Sequence, residues 1–286
     1  MSSNSATLWL RPFIARPIAL VGLAVLLATV LTAAFAPWLA PFDPYAIDPA
    51  IRLAPPNAVH WFGTDQFGRD TLSRVIHSAR MALLIGSGVV VFALSTGVPI
   101  GVLSALFPRL GHVLMRIVDV LMAFPTLLLA LGMIVILGPS VANAILAIGL
   151  GYMTTTTRIV YGLTLRLRTE TYVEASRSMG AGTPWLISKH ILPNLVSPLL
   201  VQASFVFAFS QLGAASLDFL GLGAPPDIPS WGNMLAESRT FITRAPWLLI
   251  FPGLMIVVTA FSLNLVGDAL RDRLDPRFRQ VFGEKG

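Results

Sequence analysis

The sequence predicts an all-α integral membrane protein with six transmembrane helices, and three observations carry that prediction. Of 286 residues, 55% are hydrophobic and only 12% charged, where a soluble domain carries roughly a quarter charged residues. That is too little polar surface to coat a globule. Apolar runs of about 20 residues, enough to cross a bilayer core as a helix, recur along the chain. None alternates with the period of a barrel strand. Lipid offers no partner to a bare peptide group, so each run must satisfy its backbone internally, which selects helices.

The first run, 17–39, follows Arg11 and Arg16 and imitates a secretory leader. It exceeds a leader's apolar core of about 7–15 residues. Its Ala-x-Ala candidate, Ala34-Phe35-Ala36, is followed by Pro37, which is expected to block cleavage, so the run is read as a retained span. Residues 1–79 then comprise an N-terminal tail, this span and an outer segment rich in Pro and Asp. A core over 80–270 holds five more spans, at 80–107, 113–137, 141–163, 196–219 and 247–267, and 271–286 form a tail. Gly138-Pro139-Ser140 between the third and fourth runs predicts a tight turn and an antiparallel pair. Gly97 and Gly101 have the spacing that permits close helix approach, although 23 glycines produce such a spacing by chance as well.

Charge sets the orientation. With the N-terminus inside, inner segments carry 14 of the 20 Lys and Arg, including Arg109, Arg116, Arg158, Arg166, Arg168, Arg177 and Lys189. Outer segments carry only Arg52, Arg69, Arg74, Arg80, Arg239 and Arg244. Both termini are therefore expected in the cytoplasm. The net charge of +6 belongs to these loops and does not point to nucleic acid. Absent cysteine excludes disulfides and thiolate chemistry, and His60, His77, His112 and His190 are too scattered for a metal site.

The energy source follows from what is missing. Ion-coupled carriers place ionisable groups at the midplane, but here Asp119, Asp218 and Asp268 lie within about two turns of a span end and read as interface anchors. Arg116 is spaced to pair with Asp119 on one helix face. Neither Lys189 nor Lys285 stands in a phosphate-binding loop, so this chain is expected to bind no cofactor and any ATPase must be a separate polypeptide. Mid-span polar groups are uncharged; among them Gln202, Ser210, Gln211 and Asn264 either line a translocation path or glue helices together.

The segment 170–194 reads as helix, break, helix. Gly180 and Gly182 can end a helix in left-handed backbone, and Thr183 can cap the next with Pro184 at its first position. Leu186, Ile187 and Ile191 share one side, Ser188 and Lys189 face elsewhere, and Pro193 ends the element. The result is a stiff inner-face elbow, or else an amphipathic loop lying on the headgroups. The segment resembles the EAA loop of bacterial ABC importer permeases: Glu174, Ala175, Gly180, Leu192 and Pro193 match, while Ser176 replaces the second Ala and His190 stands at an Ile position.

Three more stretches resemble the second permease of dipeptide, oligopeptide and nickel importers: His60 to Asp70, Leu217 to Gly232, and Asn264 to Arg277. From the residues alone, the first is a turn with Asp65 capping a helix, or a substrate contact. The second is a rigid Pro225-Pro226 loop or a docking surface, and the third a membrane anchor. The resemblance implies a MetI-like type I importer fold with an extra N-terminal helix and periplasmic segment, in the bacterial cytoplasmic membrane. It implies a second, homologous permease subunit, two ABC ATPase subunits carrying ATP and Mg²⁺, and an extracytoplasmic solute-binding protein. The coupling loop would enter a cleft of the ATPase, and the cargo would be di- or oligopeptides, nickel chelates, opines, glutathione or sugars. The rival readings are an ion-coupled secondary transporter, which needs midplane charges, and a membrane enzyme, which needs a nucleophile–base set.

Overall fold

The computed structural model describes residues 17–274, with side chains to residue 270. The basic tails with Arg11, Arg16, Arg277, Arg279 and Lys285 lie outside the described residues, as do the side chains of Arg271 and Arg273. The helices are α1 (Pro17–Ala34), α2 (Ala36–Leu39), α3 (Thr71–Leu106), α4 (Pro108–Met122), α5 (Thr126–Leu137), α6 (Val141–Leu167), α7 (Thr171–Ser178), α8 (Thr183–Leu186), α9 (Leu192–Phe219), α10 (Trp231–Ser238) and α11 (Trp247–Leu274).

Among the described residues, four helical runs are long and apolar enough to cross a membrane: α1, α3, the continuous run Thr183–Phe219, and α11. A fifth exists if α4 and α5 count as one bent span. The single span expected over 113–137 is in fact this pair, bent by 93°. Pro125 has no N–H to give Leu121, and its ring pushes Phe124 out of helical backbone, so the helix stops at Met122. α6 has the length, at 27 residues, but Thr154 to Thr157 and Arg158 dilute its apolar character.

α6 is the packing centre, set against α3, α4, α5 and α9. A Cβ on Gly97 would stand 3.0 Å from the Met153 carbonyl oxygen, and one on Gly101 2.8 Å from that of Thr157. The Gly-x-x-x-Gly spacing is thus a true contact of α3 with α6, and backbone proximity supplies dispersion where no hydrophobic force acts between helices. Ile85 and Val89 of α3 meet Ile134 of α5, Ile148 of α6 and Val206 of α9 in the main core. A second cluster, Val102, Val160, Ile191 and Leu195, lies under the elbow. α1 packs against α11 and α3.

α3 begins at Thr71, before the apolar run does, because Asp70 accepts the Ser73 N–H at 2.8 Å as its cap. Asp65 does not cap it. The turn at Gly138 has φ +84°, and Ser140 caps α6 by accepting the Asn143 N–H at 3.1 Å, so α5 and α6 pack as the expected neighbours.

Candidate functional site

The inner elbow starts where Arg168, closing α6, donates from Nη1 to the Ala105 carbonyl at 2.7 Å and ties itself to the end of α3. α7 buries Val173 and Ser176 and exposes Glu174, Ala175 and Arg177. Its end is a Schellman motif: Gly180 sits at φ +90°, its N–H reaches the Arg177 carbonyl, and the Ala181 N–H reaches Ser176. Gly182 differs from expectation, with φ −71°, and is itself the N-cap of α8. Thr183 and Pro184 lie in the first turn and Thr183 makes no side-chain cap. Leu186 and Ile191 are buried and Ser188 and Lys189 exposed, as the pattern requires.

Pro193 does not end the element. A π-helical stretch, Ile187–Ile191, joins α8 to α9, with the Leu192 N–H bonded to the Ile187 carbonyl. This wide turn absorbs the register change that a proline imposes, and the Asn194 side chain donates to the His190 carbonyl at 2.6 Å. Thr183–Phe219 is therefore one helical run of 37 residues. The elbow's second arm is the N-terminal end of a helix long enough to span.

His190 clasps the two arms. The Ser176 hydroxyl donates to the Tyr172 carbonyl at 2.9 Å, so across the 3.0 Å contact it accepts from His190 Nε2–H. The imidazole also meets Tyr172 and Trp185 edge-on, at 5.4 and 4.9 Å between centroids. Ser176 and His190, the two departures from the EAA pattern, are partners. Their joint departure, 14 residues apart across the turn, was the signal in the sequence.

The outer segment is built differently. Gly63 and Gly68 have φ +69° and +77°, and a Cβ on Gly68 would overlap the Asp48 carbonyl oxygen at 1.8 Å. The turn presents Asp65, which accepts the Phe67 and Arg69 N–H groups, Arg69 Nε at 2.6 Å, and the Arg74 guanidinium. Arg69 and Arg74 also reach Glu237 of α10, at 2.9 and 3.1 Å. Arg74 is only 1% exposed. Nothing near Glu237 in the sequence marks it as the closing member of this cluster. Trp247 Nε1 donates to the Thr64 carbonyl at 3.2 Å, and Phe62 stacks on Phe251 at 3.7 Å, which fastens the same turn to α11.

Asp218 is not an interface anchor. It is buried at the C-terminal end of α9, accepting the Ala224 N–H and the Ser230 hydroxyl, each at 2.7 Å. A Cβ on Gly223 or Gly232 would strike this carboxylate. Asn233 donates to the Ala224 and Pro225 carbonyls, so the Pro225-Pro226 loop folds back on α9. Asp119 pairs with Arg158 of α6 rather than with Arg116 of its own helix.

The candidate path residues do not form one group. Ser210 and Gln211 are buried; Ser210 bonds to the Phe207 carbonyl, and Gln211 donates to the Ala82 carbonyl of α3 at 2.9 Å. Both bond within the helix bundle. Gln202 and Asn264 are half-buried, with Gln202 Nε2 3.5 Å from the Thr156 hydroxyl and Asn264 Oδ1 without a partner among the described residues.

Residues 97–280 match the family described as binding-protein-dependent transport system inner membrane component. Residues 7–56 match the N-terminal TM domain of oligopeptide transport permease C. The di/tripeptide transport system permease protein DppC of Pseudomonas aeruginosa is 43% identical over 92% of this chain and 89% of its own. The dipeptide transport system permease protein DppC of Alkalihalophilus pseudofirmus is 41% identical over 92% and 86%. The glutathione transport system permease protein GsiD of Pectobacterium atrosepticum is 38% identical over 94% and 90%. An inward-facing structure of the MetNI methionine ABC transporter superposes with a TM-score of 0.61 at 19% identity, covering 71% of this chain and 97% of that one.

Proposed function

The chain belongs to the family of binding-protein-dependent transport system inner membrane components, and from that premise we propose how it couples to its fuel. It is a permease subunit of an ABC importer for peptides, a transport subunit and not an enzyme. In our reading it sits in the bacterial cytoplasmic membrane with both termini inside, beside a second, homologous permease. Two ATPase subunits, holding the ATP and Mg²⁺, dock on the elbow, and a solute-binding protein delivers di- or oligopeptides to the outer face. The choice among such solutes rests largely with that binding protein.

One observation carries the coupling reading: Thr183–Phe219 is a single helical run, and α7 is clasped to it through Ser176 and His190. An ATPase gripping the exposed surface around Glu174, Met179 and Trp185 would hold a short lever rigidly continuous with α9. Gln211 ties α9 to α3, so a push at the elbow tilts packed helices together, a rigid-body alternation between inward-open and outward-open states. No break in the helix separates the lever from α9.

The test is a double substitution, Glu174→Ala with Gly180→Val, in the assembled complex in lipid nanodiscs. The expected outcome is a subunit that inserts normally but loses ATPase stimulation by loaded binding protein. Unchanged stimulation, uptake and retention of the ATPase subunits would overturn the reading.

A further inference from the structure

α4 carries three stripes along its length. Gly111, Met115 and Val118 are buried; Leu110, Val113, Ile117 and Val120 are exposed and apolar; His112, Arg116 and Asp119 run between them. Helical geometry requires this, since residues three and four apart share a face. The polar stripe borders a cleft of about 350 Å³ between the end of α3, the start of α4 and the last turns of α6, a volume at the small end of ligand sites.

The charges in this cleft do not cancel. Asp119 is already paired with Arg158, whereas Arg116 and Arg168 both line the cleft and have no carboxylate partner among the described residues. Arg168 is positioned by its bond to the Ala105 carbonyl. Pro108 and Gly111 of α4 line the same space without a free N–H, since Pro108 has none and Gly111 donates to the Phe107 carbonyl. Ser104 lines it too, and its buried hydroxyl has no hydrogen-bond partner among the described residues. Such an orphan costs stability unless something accepts from it. Two guanidinium groups and a spare hydroxyl donor specify an oxyanion, and bidentate geometry favours phosphate.

We propose that this cleft binds a phosphate group, and that the group is the headgroup phosphate of an anionic phospholipid. The apolar stripe selects the source: Leu110, Val113 and Ile117 flank the basic residues on the same helix, where acyl chains of a bound lipid would lie while its phosphate turns inward. A free phosphate would have no use for that stripe. The orientation given above makes the inner leaflet the supplier, and only that detail rests on it.

Native mass spectrometry of the full importer complex provides the test, after exchange into phosphatidylglycerol or phosphatidylcholine. Retention of phosphatidylglycerol on this subunit is expected, and Arg116→Gln should lower it about fivefold, the ratio equivalent to about 1 kcal/mol for one basic residue at a lipid surface. Arg116 is exposed, so this variant does not threaten folding; Ser104→Ala gives a second, independent reduction. Equal retention of phosphatidylcholine, or unchanged retention in both variants, would sink the proposal. Displacement of the lipid by excess inorganic phosphate would overturn the lipid assignment in favour of a free-phosphate site. Because lipid occupancy is read without transport, failure here leaves the coupling reading standing.

Discussion

The two faces of this protein are held by opposite means. On the face we assign as outer, a turn at Gly63 to Asp70 is locked through two arginines and two carboxylates to α10, more than 160 positions along the chain. On the inner face, the elbow is held by a Schellman turn, a Ser–His contact and a few buried apolar side chains, and most of its surface is bare. A buried ionic cluster tolerates one geometry only, since any displacement leaves a desolvated charge behind. An exposed elbow loses little by moving as a unit. The first is built to stay assembled, and the second suits the coupling role proposed for it.

The contrast breaks most visibly at Arg74. Arg74→Ala removes a buried charge and leaves Asp65 and Glu237 to share the single guanidinium of Arg69, and the expected loss is about 3–5 kcal/mol, read as a collapse in folded yield and melting temperature in detergent. If melting barely shifts, the outer face is not the rigid half. Gly180→Val comes next. Its φ of +90° costs a branched residue about 1–3 kcal/mol, but no atom lies near the added Cβ, so the strain stays local. Coupled ATPase activity should fall while global melting holds; equal loss of both would show that the elbow is part of the stability core.

Ser176 and His190 sharpen the comparison with a double-mutant cycle. His190→Ile and Ser176→Ala restore the general EAA pattern, and each alone is expected to cost about 1 kcal/mol of local stability. The pair together should cost less than the sum, as read by hydrogen exchange of α7. Additive costs would mean that the contact contributes nothing. Glu174→Gln is the smallest perturbation: stability should move by less than about 0.5 kcal/mol, with ATPase docking weakened. A changed melting temperature would place Glu174 inside the fold rather than on its surface.

How much of this was legible beforehand differs by feature. Membrane class, the all-helical architecture and the left-handed Gly180 were readable because each depends on local chemistry: apolar length, and a backbone that only glycine adopts cheaply. Gly97 and Gly101 were readable as a spacing but not as a contact, since the partner backbone at Met153 and Thr157 lies on another helix. The break in 113–137 was half legible: Pro125 was in plain view, but apolar length argued for one span, and hydropathy does not register direction.

The amino-acid sequence by itself determined that this protein lives in a bilayer as helices and belongs with importer permeases, because composition and ordered motifs are properties of the chain in one dimension. Only the tertiary structure decided that Asp65 binds arginines instead of capping a helix, that Asp218 is sealed under Ser230, that Asp119 meets Arg158, and that Pro193 lies inside a continuous helical run. Each of those outcomes depends on which group reaches a buried charge or a freed carbonyl first, and that is a matter of distance in three dimensions.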